Sequence, residues 1–117
     1  MAIKCEKVSA SVQSLSGGNQ QKVAMARLLH HNADVWLLDE PTRGVDVGAK
    51  SRIYQVLNEW TEGTDTRAPC AVIVVSSYLP ELLGICDRIG VMCRGELKSI
   101  RPTSEWTEHS LMKEAVE

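Results

Sequence analysis

The stretch Val35-Trp36-Leu37-Leu38-Asp39-Glu40-Pro41-Thr42 decides how this chain is read. Four consecutive apolar residues give the pattern of a short strand covered on both faces, as in a parallel sheet. Two adjacent acids then leave that strand at its carboxyl end, where α/β folds gather their ligands. Upstream, Leu15-Ser16-Gly17-Gly18-Asn19-Gln20-Gln21-Lys22 sets a glycine pair at the mouth of a predicted helix that runs to about His31. Glycines there let backbone approach an anion closely, and the first helical turn offers N–H groups with a partial positive charge. Ser16 adds a hydroxyl donor. No G-x-x-x-x-G-K-[ST] phosphate loop occurs in the 117 residues.

Working outward, residues 1–14 are polar and aperiodic and read as an extended lead-in. Asn32-Ala33-Asp34 breaks the first helix before the strand. Thr42 to Asp46 reads as a loop, with Asp46 as N-cap of a second helix. In that helix Ile53, Val56, Leu57 and Trp60 recur at i, i+3, i+4, i+7, which predicts one buried stripe. Glu62-Gly63-Thr64-Asp65 ends it. Cys70 to Val75 is a second continuous apolar run, again a buried strand. Leu79-Pro80-Glu81 opens a short helix, since proline fits a first turn where its missing N–H costs nothing. Asp87 to Met92 and Glu96 to Ile100 flank Arg94-Gly95 as a hairpin. Ser104 is the expected cap of a last helix carrying Trp106, Leu111, Met112 and Val116. Helices alternating with continuous apolar strands predict an α/β fold with a largely parallel sheet and a small hairpin.

Composition narrows the function classes. Apolar residues make up 44% of the chain, enough for a core, but aromatics are only 4% and phenylalanine is absent. A formal charge of −2 argues against nucleic acid as partner, since gripping phosphates needs a basic surface. The run Ala71-Val72-Ile73-Val74-Val75 is far shorter than the ~20 residues of a membrane span. Cys5, Cys70, Cys86 and Cys93 fall at no metal-ligand spacing and read as free thiols of a reducing compartment.

The two motifs resemble the signature and Walker B motifs of ABC-type ATPases. Asn19-Gln20-Gln21-Lys22 with Glu40-Pro41-Thr42-Arg43-Gly44-Val45-Asp46-Val47-Gly48-Ala49-Lys50 narrows the resemblance. It is to the second cassette of bacterial monosaccharide importers of the ribose, galactose and xylose type, whose ATPases fuse two cassettes in one chain. The likeness extends from Leu15 to about Leu97. It implies that Asp39 holds Mg²⁺ through water and that Glu40 polarises the attacking water. Ser16, Gly17, Gly18 and Gln20 would contact ATP bound to the opposite cassette, and Asp46 would lie in the D-loop that crosses between cassettes. Most cassettes place a histidine after the following strand; that position is Ser77 here, as in the sugar-importer second cassette. A serine cannot act as an imidazole does at neutral pH. Tyr78 stands where an acid is usual, and His30, His31 and His109 read as surface residues.

Gly44-Val45-Asp46-Val47-Gly48-Ala49-Lys50-Ser51 nearly spells a phosphate loop, but Ala49 replaces the glycine that must approach the phosphate, and acids surround it. It reads as the D-loop. Glu105 to Glu117 reads as the edge helix that follows the sheet.

The resemblance implies the later part of a P-loop NTPase domain: a parallel sheet flanked by helices, lacking the Walker A strand and loop. Residues 15–117 would be the C-terminal portion of an ABC nucleotide-binding domain, and Met1 the start of a cloned segment or of a truncated gene. The expected cofactors are ATP and Mg²⁺, once a Walker A loop is supplied by the full protein or a partner. Expected partners are another cassette, membrane permease subunits and, indirectly, a sugar-binding protein. The expected place is cytoplasmic, peripheral on the inner face of the membrane. Alone the chain is expected to hydrolyse no ATP, and an open sheet edge invites self-pairing. The alternative is a non-catalytic module that docks on an intact cassette. A soluble ABC protein acting on DNA or ribosomes fits less well, for want of a basic stripe.

Overall fold

A computed structural model describes residues 33–117. The chain divides into two compact units, one ending at Val75 and the other running from Ser76 to Glu117. The predicted lead-in and signature helix lie outside the described residues.

The first unit is built on a strand–helix–strand crossover. β1 (Val35–Asp39) and β2 (Ala71–Val75) pair in parallel, from Val35 opposite Ala71 to Asp39 opposite Val75. Between them runs α1 (Val47–Glu62), as parallel neighbours require. Asp46 caps this helix as expected: its Oδ1 accepts the Ala49 N–H at 2.8 Å. The predicted stripe forms, with Ile53, Leu57 and Trp60 buried and Val56 half-buried. Ile53 is only 1% exposed, so it returns close to the full ~1.5–3 kcal/mol that such a side chain offers. Gly63 stops the helix at φ +81°, and a Cβ there would lie 2.9 Å from Pro69 Cδ. Only glycine meets both conditions.

Trp36 stacks on Trp60 with ring centroids 5.0 Å apart and planes 24° apart, and the Arg67 guanidinium lies 5.9 Å from the Trp36 ring. The Trp36 indole N–H is buried without an acceptor among the described residues. Ring stacking offsets part of the ~1–3 kcal/mol that such a donor costs.

One expectation for this sheet needs correcting. Among the described residues only one face of β1 is covered: Trp36 and Leu38 are buried, while Val35 and Leu37 on the opposite face are 53% and 74% exposed. β2 follows suit, with Ile73 and Val75 exposed and Val72 and Val74 half-buried. Side chains alternate along a strand, and the helix that follows β1 covers one face only.

The second unit holds α2 (Leu79–Ile85), β3 (Arg88–Cys93), β4 (Glu96–Pro102), a 3₁₀ turn at Thr103–Glu105 and α3 (Glu108–Val116). β3 and β4 form the predicted antiparallel hairpin, with an irregularity between Val91 and Met92. Arg94 and Gly95 both have positive φ, +50° and +80°, the sign pattern of the type I′ turn that matches strand twist. Ile89, Val91 and Cys93 bury one face of β3, joined in the core by Leu82, Trp106 and Leu111. The Trp106 indole donates to the Ile89 carbonyl at 3.0 Å, and Arg101 lies 3.9 Å above its ring. Arg101 also pairs with Glu114 of α3 at 2.8 Å, and the Ser99 hydroxyl donates to the same carboxylate.

The last helix begins later than expected. Ser104 lies in the 3₁₀ turn and Trp106 precedes the helix; Thr107 is the cap. Its Oγ1 accepts the Ser110 N–H at 3.1 Å, and Ser110 Oγ accepts the Thr107 N–H at 2.9 Å. That reciprocal pair satisfies two donors at once, where Ser104 makes no cap hydrogen bond. Leu111 is buried, but Met112 and Val116 are exposed.

Candidate functional site

The carboxyl end of β1 carries the adjacent acids. Strand alternation puts Asp39 on the exposed face with Val35 and Leu37. Glu40 then leaves strand geometry with φ +49°, a left-handed conformation rare for any residue but glycine. Its amide is held: Glu40 N–H donates to the Val75 carbonyl at 2.7 Å, extending the β1–β2 ladder one step past the strand. Its carbonyl accepts from Arg43 N–H at 3.2 Å, and the Thr42 carbonyl accepts from Val45 N–H at 3.2 Å. These successive turns bury Pro41, Thr42 and Val45 under the loop. The backbone therefore redirects the chain between the two acids, so that Asp39 continues the strand and the half-buried Glu40 side chain takes a different course. Strain of this kind costs about 1–3 kcal/mol and persists where surroundings over-determine it.

Asp46 lies at the far end of the same loop, with its carboxylate accepting the Ala49 amide in the first turn of α1. That occupancy bears on the near-match to a phosphate loop. The helix N-terminus that would receive a phosphate already holds a carboxylate, and Val47 onward is helical with Gly48 in its first turn.

Ser77 belongs to the second unit and is exposed. On either side of it, the Ser76 hydroxyl accepts the Tyr78 N–H at 3.0 Å and donates to Glu81 Oε2 at 2.5 Å. Glu81 is only 4% exposed. Sequence reasoning missed Ser76, Glu81 and the buried Thr42. A glutamate at the third position of a short helix was a usable signal, since acids there reach back to cap. Ser16, Gly17, Gly18 and Gln20 lie outside the described residues. Near Glu81, burial raises the Cys86 thiol above its ordinary 9.0, with the charges of Asp87 and Glu81 adding to the effect.

The donor set can be tested against magnesium. Among the described residues no group of three or more His, Cys, Asp or Glu could hold a metal alone. Asp39 instead offers one exposed carboxylate at a strand end. This suits a hard cation that keeps waters and takes its remaining ligands from phosphates, as Mg²⁺ does. A closed structural zinc site would need more.

A parallel strand ending in adjacent acids, a left-handed second acid tied to the neighbouring strand, and a capped crossover helix make an α/β unit of the kind found in ATP-binding cassettes. The comparisons agree. The family model described as ABC transporter matches residues 1–43. The chain is 48% identical over 112 residues to a ribose/galactose/methyl galactoside import ATP-binding protein of Rhizobium meliloti, which covers 96% of this chain and 21% of that protein. It is 50% identical over 97 residues to ribose import ATP-binding protein RbsA 1 of Burkholderia ambifaria, covering 83% of this chain and 18% of that one. Among solved structures, the ATP-binding cassette MJ0796, a post-hydrolysis dimer bound to ADP and Pi, matches with TM-score 0.72 and 28% identity. That match covers 86% of this chain and 41% of the cassette. Over nearly its whole length the chain is similar to ABC transporter ATP-binding proteins, and it spans about a fifth of the length of the curated relatives it matches.

Among the described residues no helix is long and apolar enough to cross a membrane.

Proposed function

We propose that this chain supplies the signature, Walker B, D-loop and switch portion of a nucleotide-binding cassette, the second of two, in an importer of a monosaccharide. The observation that carries the reading is the backbone at Glu40: φ +49° with its amide on the Val75 carbonyl, directly after a strand-end Asp39. This geometry gives adjacent acids separate tasks. Asp39 would hold Mg²⁺ through water, and Glu40 would accept a hydrogen bond from the attacking water and take its proton as the oxygen bonds to the γ-phosphorus. The bond from that phosphorus to the bridging oxygen breaks, and ADP leaves with the electron pair. Bound Mg²⁺ would neutralise the charge that develops on the phosphate oxygens. Ser16, Gly17, Gly18 and Gln20 would contact the nucleotide of the facing cassette, with Asp46 in the loop that crosses between them. Ser77 would stand beside the γ-phosphate where other cassettes carry histidine.

The relatives' names, ribose/galactose/methyl galactoside and ribose import proteins, support ribose or galactose as the sugar class. On this reading the working assembly includes permease subunits and a sugar-binding protein, with the cassette peripheral on the cytoplasmic face of the membrane. The test is a hybrid: these residues spliced over the homologous segment of the Burkholderia ribose ATP-binding protein, assayed for ATP hydrolysis and ribose uptake. Hydrolysis is expected, and Glu40→Gln should lower kcat by at least about 10²-fold with ATP binding retained, as for loss of a general base. A hybrid that assembles yet hydrolyses nothing would favour the docking module instead.

A further inference from the structure

We infer that Ser76 and Glu81 are positioning residues that clamp the turn carrying Ser77; the inference rests on the reading of Ser77 as a member of the nucleotide site. Three observations support it, all within the second unit. The N-cap of α2 is Tyr78, whose own side chain makes no cap hydrogen bond. Its amide goes instead to Ser76 Oγ at 3.0 Å, closing a small ring around Ser77. The same hydroxyl passes its proton side to Glu81 Oε2 at 2.5 Å, a short bond of the kind charged acceptors make. The result is a capping box stretched by one hydroxyl, in which the third residue of the helix reaches the cap amide through Ser76 rather than directly.

Burial sharpens the point. Glu81 is 4% exposed while Ser77, held between Ser76 and Tyr78, is exposed. A buried carboxylate is costly unless its hydrogen bonds are made, so it persists where it fixes something. A plain helix cap could have been an exposed Ser or Asp at position 78. What the buried relay adds is a fixed course for the backbone on both sides of Ser77. A serine hydroxyl is shorter than an imidazole and cannot compensate for a misplaced backbone by reach. A residue that must work at short range needs this kind of support, since displacements of about 1 Å can cost up to ~10²-fold in rate.

The test uses the same hybrid importer protein, with kcat, KM for Mg·ATP and melting temperature measured together. Ser76→Ala and Glu81→Ala are expected to lower kcat about tenfold, with KM unchanged within about twofold, because ground-state nucleotide contacts remain. Ser76→Thr and Glu81→Gln keep the hydroxyl and an acceptor, and should recover to within about threefold of the parent. Ser77→Ala should lower kcat at least as far as Ser76→Ala. Wild-type kcat in Ser76→Ala would overturn the clamp. So would a Glu81→Gln protein as slow as Glu81→Ala, with kcat, KM and melting temperature all worsened, for that pattern marks a merely structural acid. If Ser77→Ala is impaired and both clamp variants are not, the clamp fails while the site reading stands. If Ser77→Ala hydrolyses ATP at the parent rate, Ser77 is no part of the site and both fall.

Discussion

At the scale of single residues, Glu40 separates what the backbone needs from what the chemistry needs. Its φ of +49° is a position glycine would occupy without strain. Glu40→Gly should therefore leave stability within about 1 kcal/mol of the parent, strain relief and chain entropy nearly cancelling. Glu40→Val forces a β-branched side chain into the left-handed region and should cost about 1–3 kcal/mol. Urea denaturation of the two variants decides it; equal losses would show that the Glu40 side chain, not its backbone, carries the stability. Cys86 makes the second residue-scale prediction. Its folded thiol titrates above the ordinary 9.0, first through burial and then through Asp87 and Glu81. The unfolded chain releases that proton from about pH 9 upward while the folded chain keeps it, so stability is level below and falls as pH rises past that point. Cys86→Ala should flatten this part of the urea midpoint against pH, measured from pH 8 to pH 10.

At the scale of elements, capping decides where the last helix begins. Thr107→Ala removes the reciprocal pair with Ser110 and should cost about 1 kcal/mol, whereas Ser104→Ala should cost almost nothing. Thermal unfolding of both variants checks this, and a larger loss at Ser104 would move the cap back to where sequence reading put it. The contrast shows what was legible. Patterns that one element satisfies by itself came through: the Ile53–Leu57–Trp60 stripe, the Asp46 cap, the Arg94-Gly95 turn, the proline in the first turn of α2. Features set by partners did not. Val35 and Leu37 carry the apolarity of a two-sided strand, yet only Trp36, stacked on Trp60 of the helix, and Leu38 are buried. Trp106 looked helical by spacing, but its place is fixed by the Ile89 carbonyl and by Arg101 across the hairpin. In the candidate site the adjacent acids Asp39 and Glu40 and their place at the end of a strand could be read directly. The left-handed turn between them could not, since it depends on a hydrogen bond to Val75, distant in sequence; Glu81 left the signal of an acid at the third helical position, but not its link through the Ser76 hydroxyl.

At the scale of the whole molecule, the question is whether these 117 residues hold a nucleotide by themselves. The phosphates of ATP need positioned cations and converging N–H groups around them. What the first unit presents at the end of its sheet is acidic: Asp39, Glu40 and Asp46, the last with its carboxylate already on an α1 amide that could have met a phosphate. The sequence contains no G-x-x-x-x-G-K-[ST] loop to reverse that balance. Repulsion between like charges and the want of that loop both oppose binding, and one Asp-held cation cannot outweigh them. Calorimetric titration of the chain with Mg·ATP should therefore show no saturable heat, and the Asp39→Asn, Glu40→Gln double variant should look the same. With a phosphate loop supplied by the surrounding protein in the hybrid, the same acids change sign in effect: Asp39 then meets a cation already neutralised by phosphate, and binding should appear. Saturable binding to the chain alone that the double variant abolishes would mean that the Gly44–Ser51 segment, or an assembly of copies, cradles phosphate after all. The Asp46 cap would then have to open on binding, and the hydrogen-exchange protection of the Ala49 amide, which Asp46 now holds, should change when Mg·ATP is added.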